Sequence, residues 1–316
     1  MILILSTPRD DHAQTVLAEL LKLGAQAQLL DLSEFPQRLG LVMRYEDGER
    51  RFAFGCAEAG LDINACHAIW WRRPQAPQIS ANVMRDSHRY FAMNECSEAL
   101  QGLWHALEVF WINDPARDQL AHRKAYQLRV AQDVGLEMPA TLITSCVGAV
   151  REFVAPRGHD RVVYKAFSAT EEEWRETRLL KENELDLLEN VRYAPVIFQE
   201  YIEAEVDLRV TVVGDKIFPA AIHSQQTSYK VDFRIDMGDA RVEATQLPAD
   251  VEERLGAFMR RLGLVFGAID MRRTPDGRHV FLEINPAGQW LFIEKRTGQP
   301  IAAAMAQLLY ERDVSA

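Results

Sequence analysis

The chain has 316 residues, of which 48% are hydrophobic and 26% charged, proportions that are ordinary for a globular protein. Its formal net charge of −10 disfavours general nucleic-acid binding, which needs a basic surface. The sequence holds no apolar run near the roughly 20 residues of a membrane span, and its four cysteines show no metal-finger spacing. We therefore expect a cytoplasmic protein with reduced thiols, two or three compact units, and neither nucleic acid nor membrane as a partner.

The N-terminal third opens with a βαβ pattern. Residues 2–5 predict a strand, residues 11–23 an amphipathic helix that stops at Gly24, and residues 29–32 a second strand. Because no glycine-rich phosphate fingerprint follows the first strand, we expect this unit to shape a pocket rather than to hold a dinucleotide.

A hairpin over residues 35–54 comes next, and the strand AIWW at 68–71 runs into Arg72-Arg73. The arginines are candidates to meet a carboxylate or a phosphate. The alternative is that the tryptophans belong to the core and the arginines to a solvated rim. A helix over 86–108 and a strand over 110–112 follow, and the turn at 113–115 predicts a boundary.

Two lysines stand out in the middle of the chain. A predicted helix over residues 117–134 carries Lys124, and a predicted strand over 161–165 ends at Lys165. A buried ammonium at the end of an apolar strand needs an anion beside it. Strands are also predicted at 141–144 and 196–202, a short helix at 147–155, and a strongly charged, mostly helical segment at 171–190.

The C-terminal third begins with a hairpin whose strands, 208–213 and 216–222, flank Gly214-Asp215, with glycine first as a type II′ turn prefers. Asp207 and Arg209 share one face because they lie two residues apart. An amphipathic helix over 251–262 stops at Gly263, and a final helix covers 301–310.

A second hairpin in this region is acidic. Its predicted strands, 266–273 and 279–284, flank Thr274-Pro275-Asp276-Gly277. If Thr274 faces Gly277, Asp270 lies opposite Phe281 and diagonally from Glu283, about 7–8 Å away by backbone. Positions 281, 283 and 285 then share a face, and positions 280, 282 and 284 line the other.

Asp270, Glu283 and Asn285 would thus bring two carboxylates and an amide oxygen together. Hard oxygen donors of this kind bind Mg²⁺, with phosphate oxygens and water in the remaining positions. For the hairpin alone, an ordinary solvated strand face explains the same alternation equally well.

Short motifs run in a fixed order along nearly the whole chain: INDP at 112–115, Lys124, VVYK at 162–165, QEYI at 199–202, DLRVTVVGDKIFPAAIHSQ at 207–225, DFR at 232–234, GAIDM at 267–271 and FLEINPAGQW at 281–290. This set resembles the ATP-grasp superfamily. Within that superfamily, WWRRP at 70–74, GQWLFIE at 288–294 and TGQPI at 297–301 resemble the microviridin-type graspetide maturases.

The resemblance implies an α/β protein with the ATP-grasp fold. It implies an N-terminal βαβ pre-ATP-grasp domain over residues 1–113, a central lid domain over 114–198 and a C-terminal α+β catalytic domain over 199–316. The segment after Lys165 lacks an evident glycine-rich loop to cover the phosphates, which departs from the superfamily pattern.

The resemblance also implies ATP and Mg²⁺ as cofactors and assigns the site residues. The metal ligands would be Asp270, Glu283 and Asn285. The contacts to ATP would come from Lys124 and Lys165 at the phosphates, from Glu200, Tyr201 and Ile202 at the adenine, and from Asp207 at the ribose. The catalytic residues, facing the γ-phosphate and the substrate carboxylate, would be Arg209, Arg234 and Asn285.

The implied reaction phosphorylates an Asp or Glu side chain of a ribosomal precursor peptide and closes an ester or amide ring with Ser, Thr or Lys. The peptide, leader plus core, is the expected partner, and a homodimer would be in keeping with the family. We expect residues 171–190 either to bind the leader or to form a solvated lid helix.

Two other function classes stay open. One is an ATP-grasp carboxylate–amine ligase for a small molecule or another protein. The other is a non-catalytic nucleotide-binding module, which the intact acidic set disfavours.

Overall fold

A computed structural model of the chain describes residues 1–55, 60–167, 176–227, 229–232, 235, 238 and 240–315. The chain combines strands and helices along its whole described length, as predicted for an α/β protein. Within the described residues the strands form four sheets, and one of these carries the acidic hairpin.

The N-terminal elements form a parallel sheet of order β2-β1-β6-β7 and a small antiparallel sheet of order β3-β4-β5. Their bounds are β1 (Ile2–Leu5), α1 (Asp11–Lys22), β2 (Ala27–Leu30), β3 (Leu41–Glu46), β4 (Glu49–Phe54), β5 (Leu61–Asp62), β6 (Ala68–Trp71), α2 (Asp86–Ala106) and β7 (Phe110–Ile112). The predicted βαβ opening is confirmed, although β2 begins two residues before its predicted start. Asp10 caps α1 by accepting hydrogen bonds from the backbone N–H groups of His12 and Ala13.

The middle elements form an antiparallel sheet of order β10-β9-β11-β8. Their bounds are α3 (Pro115–Ala121), α4 (Lys124–Asp133), β8 (Thr141–Thr144), α5 (Val147–Val154), β9 (Val162–Lys165), β10 (Arg178–Leu179) and β11 (Val196–Glu200). The prediction of one helix over 117–134 is wrong, because the helix breaks at His122-Arg123 and Lys124 starts a new one.

The predicted helix over residues 171–190 is also corrected. Residues 171–175 lie outside the described part of the chain. Arg178–Leu179 pairs with β9 as a strand, and Glu182–Tyr193 is a 3₁₀ helix. Leu180 and Leu188 are buried in the core of this unit, which anchors the segment.

The C-terminal elements form an antiparallel sheet of order β14-β13-β12-β15-β16. Their bounds are β12 (Val206–Val213), β13 (Lys216–Ile222), β14 (Val242–Ala244), α6 (Ala249–Leu262), β15 (Phe266–Arg273), β16 (His279–Asn285), α7 (Leu291–Thr297) and α8 (Ile301–Val314). Gly214 has a φ of 57°, as the predicted two-residue turn requires.

The two faces of this sheet have different characters. Even-numbered residues of β12 from Val206 to Val212 are apolar and share a core with α6. Asp207 and Arg209 alternate with them and point to the other face, yet both are buried. The sheet therefore holds charged groups out of water on the face that forms the site.

Helix α8, near the C-terminus, packs against the first strand of the chain. Met305 and Leu309 of α8 belong to the same core cluster as Ile2 and Ile4 of β1. Within the described residues, none of the helices combines the length and apolar character needed to cross a bilayer. The domain boundaries at 113/114 and 198/199 stay a prediction.

Candidate active site

The acidic hairpin places its two carboxylates closer together than its turn predicts. Asp270 pairs directly with Glu283, and Met271 pairs with Phe281, because the register shifts between Asp270 and Met271. The Gly277 N–H donates to the Thr274 carbonyl at 2.9 Å, so the predicted turn forms. The Thr274 N–H also donates to the Arg278 carbonyl at 3.0 Å, and from the turn onwards the strands pair one residue away from the predicted register. The predicted register is wrong, but the expectation that Asp270 and Glu283 lie close together is confirmed, because directly opposed residues have Cβ atoms about 4.5–5.5 Å apart.

The register shift also redistributes the faces of β16. Phe281 and Ile284 both lie in the core against α6. Leu282 and Glu283 instead line a cleft that Lys165 and Asp270 also line. The predicted alternation is therefore wrong at Phe281 and Leu282. An extra residue in one strand of a pair produces this local exchange of faces.

Two ion pairs cross from β12 to β15 on the site face. Arg209 Nη1 lies 2.7 Å from Asp270 Oδ1, and Arg272 Nε lies 2.8 Å from Asp207 Oδ1. Burial raises the pKa of Asp207, although the charge of Arg272 and a hydrogen bond from Ser224 oppose the rise. Each buried charge has a partner of opposite sign, as burial in a protein interior demands.

The sequence prediction missed Arg272, whose guanidinium also donates to the carbonyls of Ile202 at 2.7 Å and Val231 at 2.8 Å. The signal was present, because Asp270 and Arg272 repeat the spacing of Asp207 and Arg209 on the neighbouring strand, which runs in the opposite direction. An antiparallel register that pairs them yields two ion pairs at once.

Two lysines converge on a single carboxylate oxygen. Lys124 Nζ lies 3.0 Å and Lys165 Nζ 3.4 Å from Glu283 Oε2. Lys124 is the first residue of α4 and Lys165 the last of β9, so the three residues meet from three different elements. Their side chains are between 14% and 21% exposed, so the cluster can be reached from the cleft.

The cleft has a volume of about 590 Å³ when its opening to solvent is included. Its apolar wall includes Pro139, Val163 and Leu282. The cleft is also lined by Arg272 and by these predicted site residues: Lys165, Glu200, Tyr201, Ile202, Asp207, Asp270 and Glu283.

The backbone at the end of β11 is partly committed to other partners. The N–H groups of Glu200 and Tyr201 donate to the carbonyls of Ala140 and Arg161, at 2.9 and 2.8 Å. The Ile202 N–H makes no hydrogen bond with any residue that the structure describes. Of the three predicted adenine-contacting residues, Ile202 is thus the one with an N–H group to offer.

Asn285 follows Glu283 on β16, and its Oδ1 accepts a hydrogen bond from the Ala287 N–H at 3.0 Å. It shapes the turn after the strand and does not line the described cleft. Its role as a third metal ligand and a catalytic residue stays a prediction. Arg234, the other predicted catalytic arginine, lies outside the described residues.

The loop that follows Asn285 is held by the N-terminal unit. Arg72 is 1% exposed, pairs with Asp10 at 3.0 Å, and donates to the Ala287 carbonyl at 2.7 Å. Arg73 donates to the same carbonyl at 2.9 Å, and Trp70 is buried in the core. Trp70 therefore belongs to the core, as the alternative predicted. The prediction of a solvated rim is wrong for Arg72, which is buried and positions the loop.

His12 holds the next part of this loop. Its Nε2 accepts hydrogen bonds from the N–H groups of Trp290 and Leu291, at 3.1 and 3.3 Å. Burial lowers the pKa of His12, although Asp10 opposes this effect, and the neutral imidazole is the form that has an acceptor nitrogen. Arg209 adds a hydrogen bond to the Gln289 carbonyl at 2.8 Å.

The donor set of the site suits Mg²⁺ bound together with phosphate. No group of three or more His, Cys, Asp or Glu side chains within the described ranges could hold a metal alone. Asp270 and Glu283 supply two carboxylates, so a hard cation there would complete its shell with phosphate oxygens and water. Lys124 and Lys165 are placed to neutralise the same phosphates.

Comparisons with known proteins agree with this geometry. Residues 1–119 match the MvdD pre-ATP-grasp domain family, and residues 178–309 match the RimK-like ATP-grasp domain family. No curated protein matches the chain.

Solved structures match over the whole chain. The macrocyclase MdnC from Microcystis aeruginosa MRC, bound with precursor peptide MdnA, is 30% identical with a TM-score of 0.87, over 98% of this chain and 99% of that one. A RiPP-associated ATP-grasp ligase from Chryseobacterium gregarium, in complex with ADP and a leader and core peptide, is 26% identical with a TM-score of 0.89, over 98% and 96%.

A third structure, the ATP-grasp ligase PsnB complexed with minimal precursor, Mg and ADP, is 24% identical with a TM-score of 0.82, over 99% of this chain and 97% of that one. At that identity it supports the fold alone. The predicted ATP-grasp fold is confirmed, and the protein is an ATP-grasp ligase. Because the likeness to MdnC extends over nearly the full length of both chains, this chain belongs to the graspetide maturase family of ATP-grasp ligases.

Proposed function

We propose that this ligase uses ATP to phosphorylate Asp or Glu side chains of a ribosomal precursor peptide and then closes ester or amide macrocycles with Ser, Thr or Lys side chains. The observation that carries the proposal is the full-length similarity to a macrocyclase bound to its precursor peptide. The convergence of Lys124 and Lys165 on Glu283 adds a local reason, because such a cluster suits a metal-bound polyphosphate.

The cleft would hold ATP with the adenine at the end of β11. Ile202 would donate its N–H group to the base, and Glu200 and Tyr201, which precede it in the chain, line the same cleft. Asp207 lines the same cleft, but its oxygens already accept from Arg272 and Ser224. A contact from Asp207 to the ribose would therefore share an oxygen with one of these donors.

Asp270 and Glu283, with Asn285, would hold Mg²⁺, which supplies charge neutralisation at the phosphates when it is bound. Glu283 would then exchange its two lysine partners for the metal. Lys124 and Lys165 would turn to the phosphate oxygens that the metal brings with it. In this exchange no charged group is left without a partner.

Arg209 and Arg234 would face the γ-phosphate and the substrate carboxylate. Arg209 is held in place by Asp270 on one side and by the Gln289 carbonyl on the other. Its planar guanidinium is suited to a carboxylate or phosphate because it binds two oxygens at once.

The proposed reaction has two steps, phosphorylation of the carboxylate and ring closure. A carboxylate oxygen of the peptide attacks the γ-phosphorus, the bond to the ADP oxygen breaks, and an acyl phosphate and ADP result. The hydroxyl or amine of a second side chain then attacks the acyl carbon, loses its proton, and expels phosphate. A closed site protects the acyl phosphate from water.

The described 3₁₀ helix Glu182–Tyr193 overlaps the predicted leader-binding region, residues 171–190, and extends three residues beyond it; it can be tested by substitution. Leu187 is 58% and Tyr193 81% exposed, whereas Leu188 is buried. If this segment binds the leader, Leu187→Ser and Tyr193→Ser weaken binding of the leader peptide without unfolding the protein. Unchanged leader affinity in both variants would remove this assignment.

We also propose a cytoplasmic location and leave a homodimer as an expectation of the family. The described cysteines, Cys66, Cys96 and Cys146, are free thiols, as a reducing compartment favours.

Peptide-dependent ATP turnover tests the proposal. With a leader-bearing precursor peptide, we expect ADP release and a product lighter by one water for each ring. Release of ADP with a free amino acid and no peptide would instead establish the alternative, a carboxylate–amine ligase. The match to the RimK-like ATP-grasp domain family is the reason to test this alternative.

A further inference from the structure

Gln127 makes a pair of hydrogen bonds that links helix α4 to the acidic strand. Its Nε2 donates to the Ile284 carbonyl at 2.9 Å, and its Oε1 accepts from the Ile284 N–H at 3.2 Å. Nε2 also donates to the Ala121 carbonyl at 2.6 Å, and the residue is 1% exposed. Ile284 lies between Glu283 and Asn285, so this contact lies in the middle of the proposed metal ligands.

The side-chain amide takes the place of a neighbouring strand. β16 is the last strand of its sheet, and an edge strand presents unpaired N–H and C=O groups. The amide of Gln127 offers Ile284 one donor and one acceptor, as a sixth strand would. A buried methionine or leucine could fill the same space but could not satisfy these groups.

A second contact fixes the other end of the same segment. The Phe281 N–H donates to the Glu137 carbonyl at 2.8 Å, and Glu137 bridges Val280 in parallel. The stretch from Lys124 to Glu137 is therefore attached to β16 at two places. Attachment at two places prevents α4 from sliding along the strand or rotating away from it.

The position of Lys124 depends on this attachment. Lys124 precedes Gln127 by one turn of α4, and side chains at this spacing lie on one face of a helix. Lys124 reaches Glu283 Oε2 at 3.0 Å, and Glu283 is the chain neighbour of Ile284. The Gln127–Ile284 contact thus sets the separation between the lysine and the carboxylate.

We propose that Gln127 is a positioning residue for Mg²⁺-bound ATP. It holds the N-terminus of α4 against β16, so that Lys124 meets a phosphate while Glu283 is presented to the metal. The inference rests on the proposed function of this site, but it concerns a residue that touches neither nucleotide nor metal. Groups that orient metal ligands in this indirect way commonly change affinity or activity by about 10–100-fold when they are removed.

The first test replaces the amide by an apolar side chain of similar length. We expect Gln127→Met to weaken the binding of Mg²⁺·AMPPNP by at least about tenfold in calorimetry. The KM for the precursor peptide should stay near that of the wild type. The matched control is Gln132→Met on the exposed side of the same helix, which should bind the nucleotide normally.

A second variant, Gln127→Glu, separates the hydrogen bonds from packing. When the introduced carboxyl is protonated, it can donate to the Ile284 carbonyl and accept from the Ile284 N–H, as the amide does, although its single O–H group cannot also donate to the Ala121 carbonyl. A buried carboxyl beside carbonyl oxygens resists ionisation, so its pKa rises. Relative to the wild type at each pH, nucleotide affinity of this variant should be nearly normal at about pH 6 and weak at about pH 8. Gln127→Met should be weak at both.

The outcomes are distinct. Normal nucleotide affinity in folded Gln127→Met, or an affinity of Gln127→Glu that follows the wild type across the pH range, would overturn the positioning role while leaving the proposed function intact. If Gln127→Met does not fold, the pH dependence of Gln127→Glu decides alone. If the wild type shows no Mg²⁺-dependent nucleotide binding, the proposed function fails, and the inference fails with it.

Discussion

Two charged clusters meet at the acidic hairpin, and they are built differently. In the cross-strand cluster, Asp207 pairs with Arg272 and Asp270 with Arg209, each charge matched one to one and largely buried. In the lysine cluster, Lys124 and Lys165 share one oxygen of Glu283, and both are partly exposed to solvent. The first is nearly complete in itself, whereas the second carries excess positive charge. We infer that the cross-strand cluster has a structural role and that the lysine cluster binds a ligand.

The largest expected effect comes from the carboxylate at the centre of the lysine cluster. Glu283→Gln should abolish turnover, a loss of at least about 10³-fold, because the amide cannot replace the carboxylate charge at the metal. Peptide binding should be retained. The assay is peptide-dependent ADP release, with Glu253→Gln on the exposed face of α6 as the control. A wild-type rate in Glu283→Gln would remove the metal site from this strand.

The cross-strand cluster should respond in stability. Arg272→Met leaves Asp207 buried without its cation and should lower the free energy of unfolding by about 3–5 kcal/mol. Urea denaturation measures this loss. Adding Asp207→Asn in the same chain should recover part of the loss, since no unpaired charge then remains. Equal stability of the wild type and Arg272→Met would mean that the buried Asp207–Arg272 ion pair does not stabilise the fold.

Lys124→Met should change binding more than folding. Loss of one charge-assisted hydrogen bond, about 1.5–3 kcal/mol, predicts about 10–150-fold weaker ATP binding. The partly exposed ammonium contributes little to stability, so the melting temperature should change little. Lys22→Met, at a side chain that is 69% exposed, is the control. A large loss of stability with unchanged ATP affinity would show that Lys124 has a structural role and does not bind ATP.

The smallest effect is expected where an ion pair is exposed and away from the cleft. Glu137 and Arg278 pair through side chains that are 41% and 51% exposed. Glu137→Gln should change the free energy of unfolding by less than about 1 kcal/mol. ATP affinity should be unchanged, because the backbone carbonyl of Glu137 still accepts from Phe281. A loss as large as that of Arg272→Met would erase the distinction between exposed and buried pairs.

The sequence predicted the parts of the site that depend on local periodicity and on motif order. Asp270 and Glu283 were placed together by alternation along two strands, and this conclusion survived a wrong register. The register itself depends on the extra pairing of Thr274 with Arg278 at the turn and on the irregularity between Asp270 and Met271, neither of which the alternation along the strands specifies. Tertiary packing of Phe281 and Ile284 against α6 decides which side chains enter the core.

Other site residues could not be found from one sequence. Gln127 lies in a helix where nothing local distinguishes it from a solvated glutamine, and its partner Ile284 is 157 residues away. His12 and Arg72 act on the loop after β16 from the other end of the chain. Such contacts depend on how the sheets pack, which hydrophobic periodicity does not specify.

The most direct test of the account is the Mg²⁺ dependence of AMPPNP binding, measured by calorimetry in the wild type and in Glu283→Gln. We predict that the wild type binds the nucleotide much more tightly with Mg²⁺ than with a chelator. In Glu283→Gln this difference should disappear, while metal-free binding persists because Lys124 and Lys165 are released to meet the phosphates. An unchanged Mg²⁺ dependence in the variant would contradict the assignment of Glu283 and its two lysines as the Mg²⁺·ATP site.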